Sequence, residues 1–251
     1  MIDKIFRSSR EKENFIVFTC LAGIFFGFIA ADLGGLWYFP YWSVTNYLII
    51  GFALGGWAFY ILTLIVCYEA GKLILDKLFS FGPVSKYYSY EKYLYPILFV
   101  VGLALLLLVG VETILNTSFF TNFDYIISAN KLPYLTWPYW IAAFWGTLFV
   151  CEYLEYRKKR TSLLKDTLHG YLSPLISVLA VSFILTITNE IQNFSVFLWR
   201  YANYPFPDTM IFGIPVFIIL AWPLHVIIFL EIWRAFGTNT SQTIFANDDL
   251  D

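Results

Sequence analysis

The chain has 251 residues, of which 59% are hydrophobic, 21% aromatic and only 14% charged, with a mean hydropathy of +0.67. A soluble domain carries about 25% charged residues, so too little charge is present to clothe a water-facing surface, and a soluble globular enzyme does not fit. A net charge of −2 with no basic stripe leaves no nucleic-acid footprint, and the hydrophobicity excludes a disordered chain.

A helix needs roughly 20 mostly apolar residues to cross a bilayer. Asn14–Ala31 supplies the first such run, after the basic residues Lys4, Arg7, Arg10 and Lys12. It exceeds the roughly 7–15-residue apolar core of a signal peptide, so it is expected to stay as a span. The second span is the back half of Leu33–Tyr68, from about Thr45. Tyr93–Val111, Leu132–Cys151, Thr167–Asn189 and Thr209–Leu230 follow. These runs are too long for strands and lack the dyad alternation of an outer-membrane barrel. The expected fold is all-α: a polytopic integral membrane bundle of six transmembrane helices in one domain, 1–236, followed by an acidic tail, 237–251.

Basic residues alternate between the connections. Fourteen Lys and Arg fall on one side of the six spans and two, Lys131 and Arg200, on the other. Basic loops stay in the cytoplasm, so the expected location is the cell membrane, multi-pass, with both termini cytoplasmic. Trp37, Tyr38, Trp137, Trp140, Trp199, Tyr201 and Tyr204 mark the outer interface, and Tyr88, Tyr90, Tyr153, Tyr156 and Trp233 the inner one.

The spans read as three hairpins. Each crosses an aromatic–proline loop: Trp37-Tyr38-Phe39-Pro40, then Pro133–Pro138, then Trp199–Pro205. Each descending helix ends in glutamate beside basic residues: Glu69, Glu152 with Glu155, and Glu231. A duplicated hairpin gives this pattern. Belt aromatics, turn prolines and snorkelling end charges give it too. Gly23 with Gly27 and Gly51 with Gly55 have small-xxx-small spacing, which predicts close packing of the first two helices.

Ionisable groups inside a span are costly and usually face a bundle interior. Asp32, Glu112 and Glu190 each close an ascending helix on the outer side. Asn116 lies one turn beyond Glu112, while Asn189 and Asn193 flank Glu190. If the three helices are neighbours, these groups form one outer pocket, where close carboxyls share a proton and supply a general acid. Cation binding, proton relay and simple hydration at the interface are the other readings. Pro215 and Pro223 interrupt the last span, and His225 lies deep within it. No second histidine matches its depth for a bis-histidine haem, and Cys20, Cys67 and Cys151 lack metal-ligand spacing; no cofactor or metal is expected.

The stretch Asn189-Glu190-x-x-Asn193, then Trp199-x-Tyr201, then Gly213-Ile214-Pro215-Val216 resembles the small membrane lycopene cyclases and their relatives. The resemblance covers residues 185–235, with an echo at Trp37–Glu69. It implies a helical membrane protein that cyclises carotenoid ends by protonation without net redox change. Where that family has an acidic pair after the proline, Phe217 and Ile218 stand here, so Glu112 and Glu190 are the candidate general acids. Asp32, Asn116, Asn189, Asn193, Trp199, Tyr201 and His225 are the candidate pocket residues.

The expected function is handling of an apolar isoprenoid or lipid-type ligand by protonation, with aromatic faces stabilising a cation. One alternative is a non-catalytic accessory subunit that packs on pigment or on partner membrane subunits, docked through the tail with Asp248, Asp249 and Asp251. The other is an ion or solute carrier.

Overall fold

The structure, a computed structural model, describes residues 17, 37–38, 63, 66–68, 70–79, 88–115, 137–158, 162–196, 200–201, 205–206 and 208–236. These are mostly helical. Strand β1 is Trp37–Tyr38. Helix α1 spans Glu91–Leu115, α2 Trp137–Arg157, α3 Leu163–Leu168 and α4 Ser173–Val196. Strands β2 (Arg200–Tyr201), β3 (Met210–Ile211) and β4 (Ile214–Pro215) precede α5, Val216–Phe236. Residues 66–68 and 70–79 are also helical. The first expected span, most of the second, the glycine pairs within them and the acidic tail lie outside the described residues.

Two helices are long and apolar enough to cross a membrane: Glu91–Glu112, with a mean hydropathy of 2.7, and Ser173–Ile191, with 1.7. At 1.5 Å per residue the first is about 33 Å long, close to a hydrocarbon core. Helix α1 is apolar all round. It exposes Ile97, Val100, Leu103, Leu107 and Val111, the pattern of a helix set against lipid rather than water. Val216–Ile232 forms a shorter apolar helix.

Local chemistry fixes the boundaries. Ser162 caps α3, its Oγ accepting the Lys165 N–H at 3.1 Å, as an N-cap serine should. Gly170, at φ 84°, ends the turn after α3 in the left-handed region that suits glycine. The run expected as one span from Thr167 is therefore divided, and α4 starts at Ser173 with Pro174 in its first turn, where proline loses no helical hydrogen bond. The last span also starts later than expected. Phe212 and Gly213, at φ 51° and 77°, make a tight turn between β3 and β4, which pair antiparallel. The helix begins only after Pro215.

Helix α1 packs on α2, α2 on α5, and α5 on α4. The first contact closes at glycine: a Cβ on Gly102 would fall 2.8 Å from the Gly146 carbonyl oxygen. Close approach through glycine was expected for the first two helices; among the described residues it occurs here. Gly71 has the same role against α4, where a Cβ would meet Ser177 Oγ at 2.6 Å, and Ser177 Oγ donates to the Tyr68 carbonyl at 2.7 Å. Tyr68, Val178, Val226, Phe229 and Leu230 form one buried core; Val109, Trp140, Phe144 and Ile228 form another. At the opposite end from the basic connections, β1 pairs antiparallel with β2, Trp37 opposite Tyr201 and Tyr38 opposite Arg200. Two of the aromatic loops that look alike in sequence are thus bound edge to edge.

Candidate functional site

Antiparallel helices put the start of one beside the end of the next, so the described chain has an aromatic end and a basic end. At the aromatic end, Glu190 sits near the close of α4 with its side chain buried. Tyr201, on β2, donates its hydroxyl to Glu190 Oε1. The Trp222 Nε1–H of α5 points to the Tyr201 hydroxyl at 3.3 Å. A three-member chain therefore ties α4, β2 and α5. Asn193, one turn on from Glu190, is also buried, and Asn189 is half-buried. Ile214, Ile218 and Ile219 pack around Tyr201, Phe217 and Trp222.

Below Trp222 the interior is aromatic. His225 is fully buried one turn further along α5. Its ring centroid lies 6.0 Å from Trp222, 6.2 Å from Trp140 and 5.0 Å from Phe229, and Trp140 reaches Phe217 at 6.3 Å. A carboxyl at the head of such a column can hold or release a proton where ring faces stabilise positive charge.

The other outer acid is placed differently. Glu112 is half-buried on α1. Helix α1 packs on α2, while α4 packs on α5, and the hydrogen-bonded chain joins Glu190 to Tyr201 and Trp222 across α4, β2 and α5. Asp32, Asn116 and Trp199 lie outside the described residues.

A second polar site at the basic end was not anticipated. Glu91, Glu152, Glu155, Asp166 and Glu231 are buried there, together with Ser162, Lys72 and Lys165. Glu155 and Glu231 are both 0% exposed, so these helix-end glutamates do not snorkel. Glu152 Oε1 accepts the Leu164 N–H at 2.9 Å, which ties α2 to the first turn of α3. Glu91 Oε1, at the start of α1, lies 2.7 Å from His169 Nε2, and the Tyr88 ring stands edge-on to His169 at 4.6 Å. Tyr95 meets Ser162 at 3.4 Å and stacks on Tyr156 at 4.5 Å. Lys158 donates to the Ala235 carbonyl, joining α2 to the end of α5.

These contacts form one electrostatic unit. Tyr95 lies within reach of the charges on Glu152, Glu91 and Glu155, and Cys151 within reach of Glu231, Glu155, Glu152 and Lys158. Burial pushes the Lys165 amine below the usual lysine range, against the opposing pull of Glu91 and Asp166. Among the described residues no group of His, Cys, Asp and Glu is arranged to hold a metal ion.

The sequence signal for this site was the position of the glutamates: each lies within about a turn and a half of a helix end on the same side. No family model, curated protein or solved structure matches this chain.

Proposed function

We propose that the chain is a six-span protein of the cell membrane, with both termini cytoplasmic, that protonates an apolar isoprenoid-type ligand using Glu190 as the acid. The topology rests on the division of Lys and Arg, fourteen against two, between the two sets of connections. Helices of spanning length at Glu91–Glu112 and Ser173–Ile191 support it.

The observation that carries the chemistry is the buried Glu190 carboxyl, held by Tyr201 and Trp222 over the aromatic column around His225. The resemblance to membrane carotenoid cyclases wants an acid near the start of the last helix, and Phe217 and Ile218 cannot supply it. Glu190 reaches that level from α4 through the hydroxyl of Tyr201. Oε1 accepts from Tyr201, so the transferable proton sits on Oε2. Its addition to a terminal carbon–carbon double bond leaves a cation and the Glu190 carboxylate, a nearby double bond closes the ring, and transfer of a ring proton back to that carboxylate restores neutrality without oxidation. Trp222, Trp140 and Phe229 are the rings placed to stabilise that cation.

The test is expression in a bacterial host that accumulates the linear carotenoid lycopene, grown in deuterated water. A cyclised pigment carrying solvent deuterium is expected. Glu190→Gln should abolish it and Glu112→Gln should not. No cyclised pigment, or pigment unchanged in Glu190→Gln, overturns the proposal.

A further inference from the structure

The turn that opens the last helix is exposed, apolar and strained at once. Strands β3 and β4 form a hairpin whose turn is Phe212-Gly213. Its base is fixed: Ile214 belongs to the buried cluster against which Tyr201 and Trp222 pack, and the Val216 N–H donates to the Thr209 carbonyl at 3.0 Å. Its outer part is open. Phe212 is 87% exposed and Phe206, just before the hairpin, 76%, with Met210 and Ile211 exposed between them. Asp208 is the one charged residue in 205–216.

Both phenylalanines have left-handed backbones, at φ 59° and 51°. Turns in water fill that conformation with glycine, asparagine or aspartate. A phenylalanine held there in water is unfavourable twice, through backbone strain and through exposed apolar surface. Hydrocarbon around the ring removes the second cost and offsets the first.

The helix that follows identifies the hydrocarbon. Val216–Ile232 is apolar but below spanning length: at 1.5 Å per residue it covers about 26 Å, against a bilayer core of about 30 Å. A short span draws its ends inward or thins the bilayer around them, and either brings the segment at its outer end against acyl chains. A hairpin with two-residue strands is about 7 Å long, enough to make up the difference. Leu220, near the start of α5, is exposed as well, while Ile218 and Ile219 beside it are buried. A sheet edge needs water for its backbone groups, which places the hairpin at the boundary of headgroups and acyl chains, the depth at which interfacial segments lie.

We propose that the β3–β4 hairpin is a lipid-binding prong: Phe206, Met210, Ile211 and Phe212 lie among the acyl chains of the outer leaflet and set the depth of the last helix. The prong rests on the membrane-spanning reading of the chain and is independent of the acid chemistry at Glu190.

The experiment measures collisions of a nitroxide label with oxygen, which concentrates in hydrocarbon, and with a nickel chelate, which stays in water. The full chain in lipid nanodiscs carries Cys20→Ala, Cys67→Ala and Cys151→Ala, and one labelled cysteine at a time: Phe206→Cys, Phe212→Cys or, as the reference on an exposed face of α1, Val100→Cys. Collision with oxygen should exceed collision with the nickel chelate several-fold at all three positions. If position 100 favours oxygen and position 212 favours nickel, the spanning reading stands and the prong is overturned. A label at 212 shielded from both reagents overturns the prong too, because protein or a bound ligand then covers it. Nickel favoured at both 100 and 212 overturns the spanning reading and the prong together. The unsubstituted chain gives a second measurement, since Met210 is its one methionine after Met1. Oxidation of Met210 by chloramine-T, a charged oxidant confined to water, should be several-fold slower in nanodiscs than in the unfolded chain. Equal rates overturn the proposal without any variant.

Discussion

The two ends of this molecule bury charge in opposite ways. At the aromatic end the buried Glu190 carboxyl accepts from a neutral hydroxyl backed by an indole. At the basic end five carboxyls among the described residues are buried together with lysines and a histidine. A network of buried charges and hydrogen bonds fixes helix ends against each other. Loss of Glu190 should therefore remove chemistry and leave the fold, whereas loss of a network member should damage the fold first.

The sharpest break of that contrast is His169→Ala. It strips Glu91 of the imidazole at 2.7 Å and leaves a carboxylate buried. Removing one partner of a buried pair costs about 3–5 kcal/mol. Unfolding in mixed micelles should show a loss of this size, and the double variant Glu91→Leu with His169→Ala should recover part of it. A loss within experimental scatter of zero would mean that the network does not brace the basic end. Lys165 adds a pH signature. Its folded pKa is lowered, chiefly by burial, so over the window between that value and 10.5 the unfolded chain binds more protons, and its contribution makes stability rise with pH there. Lys165→Met should flatten that alkaline rise.

Tyr201→Phe probes the other end with a smaller effect. It deletes the hydroxyl that donates to Glu190 and accepts from Trp222. A hydrogen bond between neutral groups contributes about 0.5–1.5 kcal/mol, so a small loss of stability is expected, with a larger loss of any acid-dependent activity. If stability falls as far as in His169→Ala, the aromatic end is braced by its own network and the contrast between the ends fails. Phe212→Gly should go the other way. Phe212 is 87% exposed at φ 51°, and a left-handed conformation costs a non-glycine residue about 1–2 kcal/mol. Glycine relieves this, so thermal stability should rise unless the ring is covered by lipid or by a ligand. Loss of stability in bilayers but not in detergent would identify the bilayer as that cover.

Much of this was legible in the sequence, for physical reasons. Two of the long uncharged runs are helices long and apolar enough to cross a membrane, because a helix satisfies its own backbone along such a run. Glu190, Asn193, Tyr201 and His225 stood out because polar groups are rare in such runs. What could not be read was tertiary. Glu152, Glu155 and Glu231 sit among basic residues, and sequence cannot distinguish a carboxylate that snorkels from one folded inward under a short helix such as α3. The contact between His169 and Glu91 had no local signal, because the two are distant in the chain. The β3–β4 turn was hidden inside an apolar run: Phe212-Gly213 scores as membrane span although its backbone turns back on itself. The edge-to-edge pairing of Trp37–Tyr38 with Arg200–Tyr201 had no local signal, because its hydrogen bonds come from the backbone.

The two ends also differ in how tightly α1 is held, and a pair of glycines measures this. Gly102 lies where α1 crosses α2, with the Gly146 carbonyl oxygen 2.8 Å from the position of a Cβ and Phe149 Cβ at 3.0 Å. Gly110, two turns toward the aromatic end, would place a Cβ with nothing within 4 Å. Gly102→Ala must push two backbones apart, and overpacking of this kind costs about 1–3 kcal/mol. Gly110→Ala meets no obstacle and lowers the backbone entropy of the unfolded chain, a gain of up to about 1 kcal/mol. Opposite signs for the same substitution on one helix face would show that α1 is clamped toward the basic end and free toward the aromatic end. Equal destabilisation at both positions would instead mean that a further segment of the chain, or a second molecule, covers α1 near Gly110.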